Sequence, residues 1–158
     1  MCAVRYEKDQ PITLRDGTII YGDFFKPVEI NQPCPVVLTW TPYDKIAPPL
    51  DYQAFPNNSG MENRYSCGFD TFEGPEPDYW VSNGYILAVV DSRGSTNSEG
   101  DLLQLGNQEG LDIYDTIEFL AAQDWCNGKV GMTGNSWLAI YQYFAAALQP
   151  SHLAAIAS

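Results

Sequence analysis

The second half of the chain alternates strand-length apolar segments with segments of helical spacing. The strand-like segments lie at 85–90, 129–133 and 153–157, and the helical segments at 109–123 and 136–148. A continuous apolar run is typical of a strand buried on both faces, and a helix between two such strands is the usual crossover between parallel neighbours. Repeated strand-helix-strand units therefore predict an α/β fold with a mostly parallel sheet.

The first half of the chain begins with a predicted hairpin and a single strand rather than with strand-helix-strand units. Residues 10–26 read as a β-hairpin whose turn is supplied by Asp16 and Gly17, and 36–38 read as a buried strand that ends near Tyr43. The segment 46–77 is rich in Pro, Asn, Gly and Ser, and we expect it to be an irregular excursion that carries function or covers a site. A short helix through Tyr79 and Trp80 should precede the strand at 85–90. We expect residues 1–158 to form a single domain without a second one.

Composition excludes several classes of protein. The 158 residues are 45% hydrophobic, so the chain can bury a sizeable core, and the formal net charge of −12 disfavours nucleic acid or anionic membranes as partners. The four cysteines form no CxxC pair, so we expect no zinc site, no redox motif and no disulfide framework. The N-terminus has no apolar signal region and no stretch is long enough to cross a membrane, which favours a cytoplasmic protein. No metal or cofactor is expected.

The sequence GMTGNSWLAI lies where the strand at 129–133 turns into the next helix. A nucleophilic serine needs a tight strand-to-helix turn with small neighbours, and Gly134 lies two residues before Ser136. The common GxSxG pattern is incomplete, because Leu138 occupies the position of the second glycine. From this pattern alone, Ser136 is either a nucleophile at a nucleophile elbow spanning 134–138 or merely the N-cap of a helix that follows a glycine turn.

Several separated motifs in a fixed order carry a more specific resemblance. They are LRDGT, TPYDK, DSRGSTNSEG and the long stretch E..D..D.IEFLA.QDWCNGKVGM.GNSW. Together they cover nearly the whole chain and resemble the cocaine esterase and X-Pro dipeptidyl-peptidase family of serine α/β-hydrolases. The resemblance implies the N-terminal half of an α/β-hydrolase domain and acyl-transfer chemistry on an ester or amide. Relative to the GxSYxG sequence typical of that family, Trp137 replaces the tyrosine and Ala139 the last glycine.

An acyl-transfer site needs hydrogen-bond donors where negative charge develops on the carbonyl oxygen. The backbone N–H of the residue after the nucleophile is one such donor, so Trp137 is the first candidate. The resemblance implies that the phenol of Tyr43, in TPYDK, is the second. Tyr43 also follows a strand at the edge of the sheet where ligands bind in open α/β folds. The alternative is that Tyr43 is an aromatic residue that packs under the following loop.

Other polar residues are better explained as structural. Asp91 and Arg93, in DSRG, should form an ion pair or cap backbone groups rather than supply a catalytic acid. The acidic residues Glu109, Asp112 and Asp115 recur every third position, and we interpret them as a solvated face at a helix start rather than a metal site.

Six aromatic residues lie in or beside the irregular segment. They either line an acyl pocket or pack the loop onto the core, and the sequence does not choose between these alternatives. They are Tyr52, Phe55, Tyr65, Phe69, Phe72 and Trp80.

The base that must activate Ser136 has no candidate in the sequence. In α/β-hydrolases, an acidic residue and then a histidine follow the nucleophile on later loops. His152 is the only histidine, and the intervening helix of about 18 Å should place it at the opposite edge of the sheet from Ser136. We therefore expect a partial sequence that is inactive by itself, whose last strand at 153–157 leaves an unpaired sheet edge.

Two functions are compatible with the sequence. Either the complete protein is a serine hydrolase that acts on a small-molecule or peptide acyl substrate, as a monomer or a homo-oligomer, or the short chain is a non-catalytic module that binds a partner through its sheet edge. The identity of the substrate does not follow from these residues.

Overall fold

A computed structural model of the chain describes residues 4–45, 68–69 and 71–158. Its six strands and three helices follow the order predicted from the sequence. They are β1 (Val4–Thr13), β2 (Ile19–Pro27), β3 (Cys34–Thr41), α1 (Pro77–Ser82), β4 (Ile86–Asp91), α2 (Asn107–Ala121), β5 (Cys126–Thr133), α3 (Trp137–Ala147) and β6 (Leu153–Ala157). The expected hairpin is formed by β1 and β2, and its first strand begins earlier than predicted, at Val4.

The six strands form one mixed sheet in the order β1-β2-β4-β3-β5-β6. The strands β4, β3, β5 and β6 are parallel neighbours, whereas β2 is antiparallel to both β1 and β4. The predicted mostly parallel α/β sheet is thus confirmed. Because β4, β3 and β5 lie side by side in parallel, their carboxyl ends meet at one edge of the sheet, where ligands bind in open α/β folds.

The continuous apolar runs arise because both faces of the central strands are covered. Along β3, Val36, Leu38 and Trp40 belong to the core that contains residues of α2 and α3, while Val37 belongs to the smaller core that contains Val81 of α1. This alternation follows from the two-residue period of a strand. Hydrophobic burial on both faces therefore fixes the positions of the strand ends that carry the site.

The irregular segment predicted at 46–77 falls largely outside the described residues, including Tyr52, Phe55 and Tyr65. Phe69 is described and packs on Tyr6 and Phe25, with ring centroids 4.8 and 5.5 Å apart, respectively. This contact favours the loop-packing alternative for Phe69. Within residues 4–45, 68–69 and 71–158, the helices are too short or too polar for any to span a membrane.

Candidate active site

Ser136 lies between β5 and α3, in the turn that the sequence predicted for a nucleophile. Its backbone has φ 54° and ψ −116°, a combination that non-glycine residues rarely adopt. Ser136 is exposed and occupies the N-cap position of α3, yet its side chain makes no capping hydrogen bond. A serine selected as a helix cap would bond to the first turn, so the N-cap alternative does not explain this residue. Backbone strain of this kind is concentrated at functional sites.

Gly134 makes this turn sterically feasible. Its φ is +152°, and a Cβ atom at this position would overlap the Cβ of Leu138 in the first turn of α3. The closeness of the strand end to the helix therefore depends on a missing side chain. Leu138, which occupies the place of the second glycine of the common pattern, points into the protein and is buried.

Trp137 is the first residue of α3, so its N–H has no acceptor within the helix. Its indole packs beside Tyr141 with ring centroids 6.1 Å apart, and it contacts the larger core. The packed indole holds the start of the helix in place. The Trp137 N–H thus lies next to Ser136 in a fixed position, and a helix N-terminus carries partial positive charge.

Tyr43 follows β3 by two residues, at the same sheet edge as Ser136. Its N–H donates to Thr41 Oγ1 at 3.1 Å, and its ring meets Phe72 edge-on with centroids 5.0 Å apart. The side chain is 39% exposed, so the phenol is accessible from solvent. Partial burial and the negative charge of Glu73 raise the pKa of the Tyr43 phenol, which keeps it protonated and able to donate. Tyr43 therefore has both a packing contact and an available hydroxyl.

Glu73 is a site residue that sequence reasoning missed. Its backbone carbonyl accepts a hydrogen bond of 3.0 Å from the N–H of Asn135, the residue immediately before Ser136. Its carboxyl lies near the Ser136 hydroxyl and the Trp137 N–H, and burial raises the pKa of this carboxyl although both donors lower it. The residue precedes Ser136 by a long stretch of chain and belongs to no motif. Only the tertiary fold brings the two together.

The family is decided by the comparison of the chain with known families. Residues 16–158 match the model of the X-Pro dipeptidyl-peptidase (S15) family. The chain belongs to this family. Its mixed sheet with helices is accordingly that of the N-terminal half of an α/β-hydrolase.

Similar proteins extend well beyond the length of this chain. Cocaine esterase from Rhodococcus sp. (strain MB1 Bresler) is 31% identical over 150 residues, which cover 92% of this chain and 22% of that protein. A crystal structure of a CocE/NonD family hydrolase from Staphylococcus aureus superposes with a TM-score of 0.89 at 35% identity, covering 97% of this chain and 27% of that one. An α-amino acid ester hydrolase superposes with a TM-score of 0.73 at 25% identity, covering 98% and 25% of the two chains. The family and these relatives are hydrolases, and the chain spans about a quarter of their lengths or less.

In this X-Pro dipeptidyl-peptidase family member, a buried ion pair supports the segment that carries Tyr43. Lys45 Nζ lies 2.6 Å from Asp91 Oδ2 at the end of β4 and 3.1 Å from Asp9 Oδ1. Burial raises the pKa of Asp91 to about 6, and Lys45 opposes this rise. Ser95 Oγ also donates to the Pro42 carbonyl at 3.0 Å. Asp91 is therefore structural, as expected, but its partner is Lys45 rather than Arg93.

The prediction of a solvated acidic face on α2 is wrong. Glu109 and Asp112 are 3% and 2% exposed, respectively. Glu109 accepts from the Trp40 indole N–H at 2.9 Å, and Asp112 forms a two-point ion pair with Arg93 at 2.8 Å. Trp40 and Arg93 are not sequence neighbours of these two acids. The spacing of the acids alone therefore could not show whether each carboxylate faces a buried donor or water.

The third acid of this set, Asp115, also has a partner. Arg15, in the turn between β1 and β2, donates to Asp115 through its side chain and its backbone N–H, with the shortest contact at 2.6 Å. The acids on α2 thus anchor neighbouring elements.

His152 lies at the opposite edge of the sheet from Ser136, as predicted. Its carbonyl accepts from the Val130 N–H at 2.9 Å, near the amino end of the paired part of β5, whereas Ser136 follows the carboxyl end of that strand. Its imidazole Nδ1 is 2.6 Å from Glu118 on α2. The imidazole is therefore committed to a partner far from the candidate nucleophile.

Proposed function

We propose that this chain supplies the nucleophile and the oxyanion donors of a serine hydrolase that acts on acyl esters or amides. The observation that carries the proposal is the strained backbone of Ser136, with φ 54° and ψ −116°, at the junction of β5 and α3. Strain at a serine whose side chain makes no capping bond is explained by the need to present a hydroxyl to a substrate.

The reaction begins when Ser136 Oγ gives its proton to the general base of the complete protein and attacks the carbonyl carbon, which forms a C–O bond and moves the π electron pair onto the carbonyl oxygen. The Trp137 N–H and the Tyr43 phenol are the donors for that oxygen, and each donor of this kind contributes about 10²–10³ in turnover. Collapse of the tetrahedral intermediate expels the alcohol or amine and leaves an acyl ester on Ser136. The protonated base gives its proton to the leaving alcohol or amine. Water then releases the acid and regenerates the serine.

The general base and its acidic partner belong to the complete protein in this proposal. The family relatives are several times longer than this chain, and α/β-hydrolases carry the acid and the histidine after the nucleophile. Without a base, catalysis by a comparable serine enzyme falls by about 10⁶. We therefore infer that the 158-residue polypeptide is inactive on its own and that its complete form is active on a small-molecule or peptide acyl substrate.

A fluorophosphonate probe tests the proposal. We expect the complete protein to be labelled on Ser136, and the Ser136→Ala variant to lose labelling by at least about 10³-fold, since residual reactivity comes only from binding and oxyanion donors. Mass spectrometry of the labelled peptide identifies the serine. The exposed Ser151 provides the matched control, because Ser151→Ala should label like the unmodified protein.

A second candidate function is supported by the exposure of β6. In the described part of the chain, β6 pairs with β5 on one side, and four of its five side chains are exposed. An open strand edge can add a strand from another chain. A complete protein that is folded yet never labelled at Ser136 would favour this binding role and contradict the hydrolase.

A further inference from the structure

Glu73 is held rigidly against the turn that carries Ser136. The Asn135 N–H donates to its carbonyl at 3.0 Å, and the Gly74 N–H closes a turn onto Thr71 O at 3.0 Å. A Cβ on Gly74 would lie 2.9 Å from Thr71 Cβ, so this turn is tight. Glu73 itself has φ 60°, in the left-handed region that few glutamates adopt. The backbone thus fixes where the Glu73 side chain starts.

The Glu73 carboxyl lies beside the hydroxyl of Ser136, the proposed nucleophile, and the N–H of Trp137, one of the two proposed oxyanion donors. Both groups are near enough to lower the pKa of the Glu73 carboxyl, and the hydrogen bond from the Asn135 N–H to the Glu73 carbonyl holds the residue beside this turn. Its Oε2 is fully buried and has no hydrogen-bond partner among the described residues. A buried carboxylate oxygen without a partner is unfavourable by about 1–3 kcal/mol or more. The side chain is therefore not positioned for stability alone.

The groups that face this carboxylate respond to its charge. Tyr43, the second candidate oxyanion donor, has its pKa raised partly by the negative charge of Glu73. The Ser136 hydroxyl and the Trp137 N–H are neutral donors that lower the pKa of the Glu73 carboxyl, and burial raises it by more. An ionised Glu73 thus stands among the three groups that would contact a substrate carbonyl.

We propose that Glu73 is a positioning residue that controls access to the oxyanion hole. When ionised, its carboxylate occupies the Trp137 N–H and the Ser136 hydroxyl, and its charge opposes a developing oxyanion nearby. When neutral, it competes weakly, because a hydrogen bond to a neutral acceptor is about half as strong as one to a carboxylate. This inference rests on the proposed function.

The pH dependence of a ratio of rates tests the proposal in the complete enzyme. The ratio compares kcat/KM of Glu73→Gln with that of the unmodified enzyme on one neutral ester, so that titration of the general base, common to both, cancels. We expect a ratio of about 5–10 on the alkaline side of the raised pKa of Glu73, where its carboxyl is ionised, given the difference between charged and neutral hydrogen bonds. The ratio should fall towards one as the pH drops through the raised pKa of Glu73, because the protonated carboxyl no longer blocks the site.

A merely structural glutamate would give a ratio that does not change with pH, and that result would overturn the proposal. Glu29→Gln, which removes one charge from an exposed loop, is the matched control and should give a ratio of one at every pH. The gain in kcat/KM of Glu73→Gln should appear mainly as a lower KM, since the carboxylate competes with substrate binding.

A second measurement does not depend on catalysis. In the 158-residue polypeptide labelled with ¹⁵N-tryptophan, the amide of Trp137 should shift with pH, at a midpoint above the ordinary pKa of glutamate. This titration should disappear in Glu73→Gln. If Trp137 shifts equally in both proteins, or in neither, the proposal is wrong even where fluorophosphonate labelling has established the hydrolase. If the hydrolase proposal fails, the pH dependence of the Trp137 amide shift still tests whether Glu73 accepts a hydrogen bond from the Trp137 N–H.

Glu73→Asp is a second, more conservative variant, which keeps the proposal testable if Glu73→Gln does not fold. It keeps the charge but shortens the side chain by one methylene, which withdraws the carboxylate from the Trp137 N–H. The pH-dependent shift of the Trp137 amide should then fall at least about twofold, as expected when a charge-assisted bond is lost. An unchanged shift would contradict the proposal.

Discussion

The backbone is strained at Ser136 and at Glu73, which lies against the turn that carries Ser136. Ser136 and Glu73 both have positive φ although neither is glycine, and the Asn135 N–H bonds to the Glu73 carbonyl between them. Left-handed backbone at two non-glycine residues costs of order 1–3 kcal/mol each. Surrounding packing must compensate for that cost. At the residue scale, stability and the geometry of the site are therefore coupled.

Gly134 is the residue on which this coupling depends most directly. We predict that Gly134→Ala lowers the free energy of unfolding by about 2 kcal/mol or more, because the new methyl group would overlap Leu138 and the backbone has φ +152°. Urea denaturation followed by circular dichroism measures the change.

Gly131 on the same strand is the matched control. A Cβ there would find its nearest atom, Ala155 O, at 3.7 Å, which is ordinary contact. Gly131→Ala should therefore change stability by less than about 1 kcal/mol. Equal effects of the two substitutions would show that crowding at the elbow is not what Gly134 relieves.

Charged side chains connect elements that share no sequence neighbourhood. Arg93, after β4, pairs with Asp112 on α2 at 2.8 Å and with Asp16 in the β1–β2 turn at 2.9 Å. Its Nη1 also donates to Thr18 Oγ1 at 2.6 Å. Asp112 holds the pKa of Arg93 above its usual value, so the charge is permanent. One guanidinium thus joins the hairpin, the end of β4 and the start of α2.

Removing this guanidinium should destabilise the fold strongly. We predict that Arg93→Met lowers the free energy of unfolding by about 3–5 kcal/mol, because the Asp112 carboxylate remains buried without its partner. Thermal and urea denaturation measure the loss. Arg5→Met is the control, since the Arg5 side chain is 61% exposed and its ion pair with Glu7 should contribute less than about 1 kcal/mol. Similar losses in both variants would contradict the anchoring role.

At the scale of the whole molecule, a strongly negative chain presents an apolar edge. The net charge is −12, while Ile140, Tyr143 and Ile156 on α3 and β6 are 43%, 58% and 36% exposed. The edge favours association through strand pairing and apolar contact, whereas the charge opposes it. The balance between the two depends on ionic strength.

We predict that the 158-residue polypeptide self-associates with rising concentration, and more strongly in high salt, because salt screens the repulsion between acidic surfaces. Ile156→Lys should weaken association by about tenfold, equivalent to roughly 1.4 kcal/mol. Sedimentation velocity measures the effect.

Val28→Lys is the control for this test, because Val28 is 63% exposed but lies in the loop after β2. It should leave association unchanged. Association that responds equally to both substitutions, or that weakens in salt, would show that the β6 edge is not the contact.

The sequence by itself determined the order of elements and the position of the turn that carries Ser136. Continuous apolar runs, helical spacing and the glycine before Ser136 are local signals, because strand burial, helix amphipathicity and turn sterics act over a few residues. Trp137 was a candidate donor from its place after Ser136, and Tyr43 was one from the family resemblance. The structure places both at the same sheet edge as Ser136, and their roles stay predictions.

Only the tertiary structure decided which charges are paired and which side chains lie near Ser136. Glu109 and Asp112 looked solvent-facing because their partners, Trp40 and Arg93, come from other elements. Glu73 had no signal at all, because its proximity to Ser136 arises from the packing of a loop against the turn between β5 and α3. Electrostatic environment is set by three-dimensional neighbours, and local sequence carries little information about them.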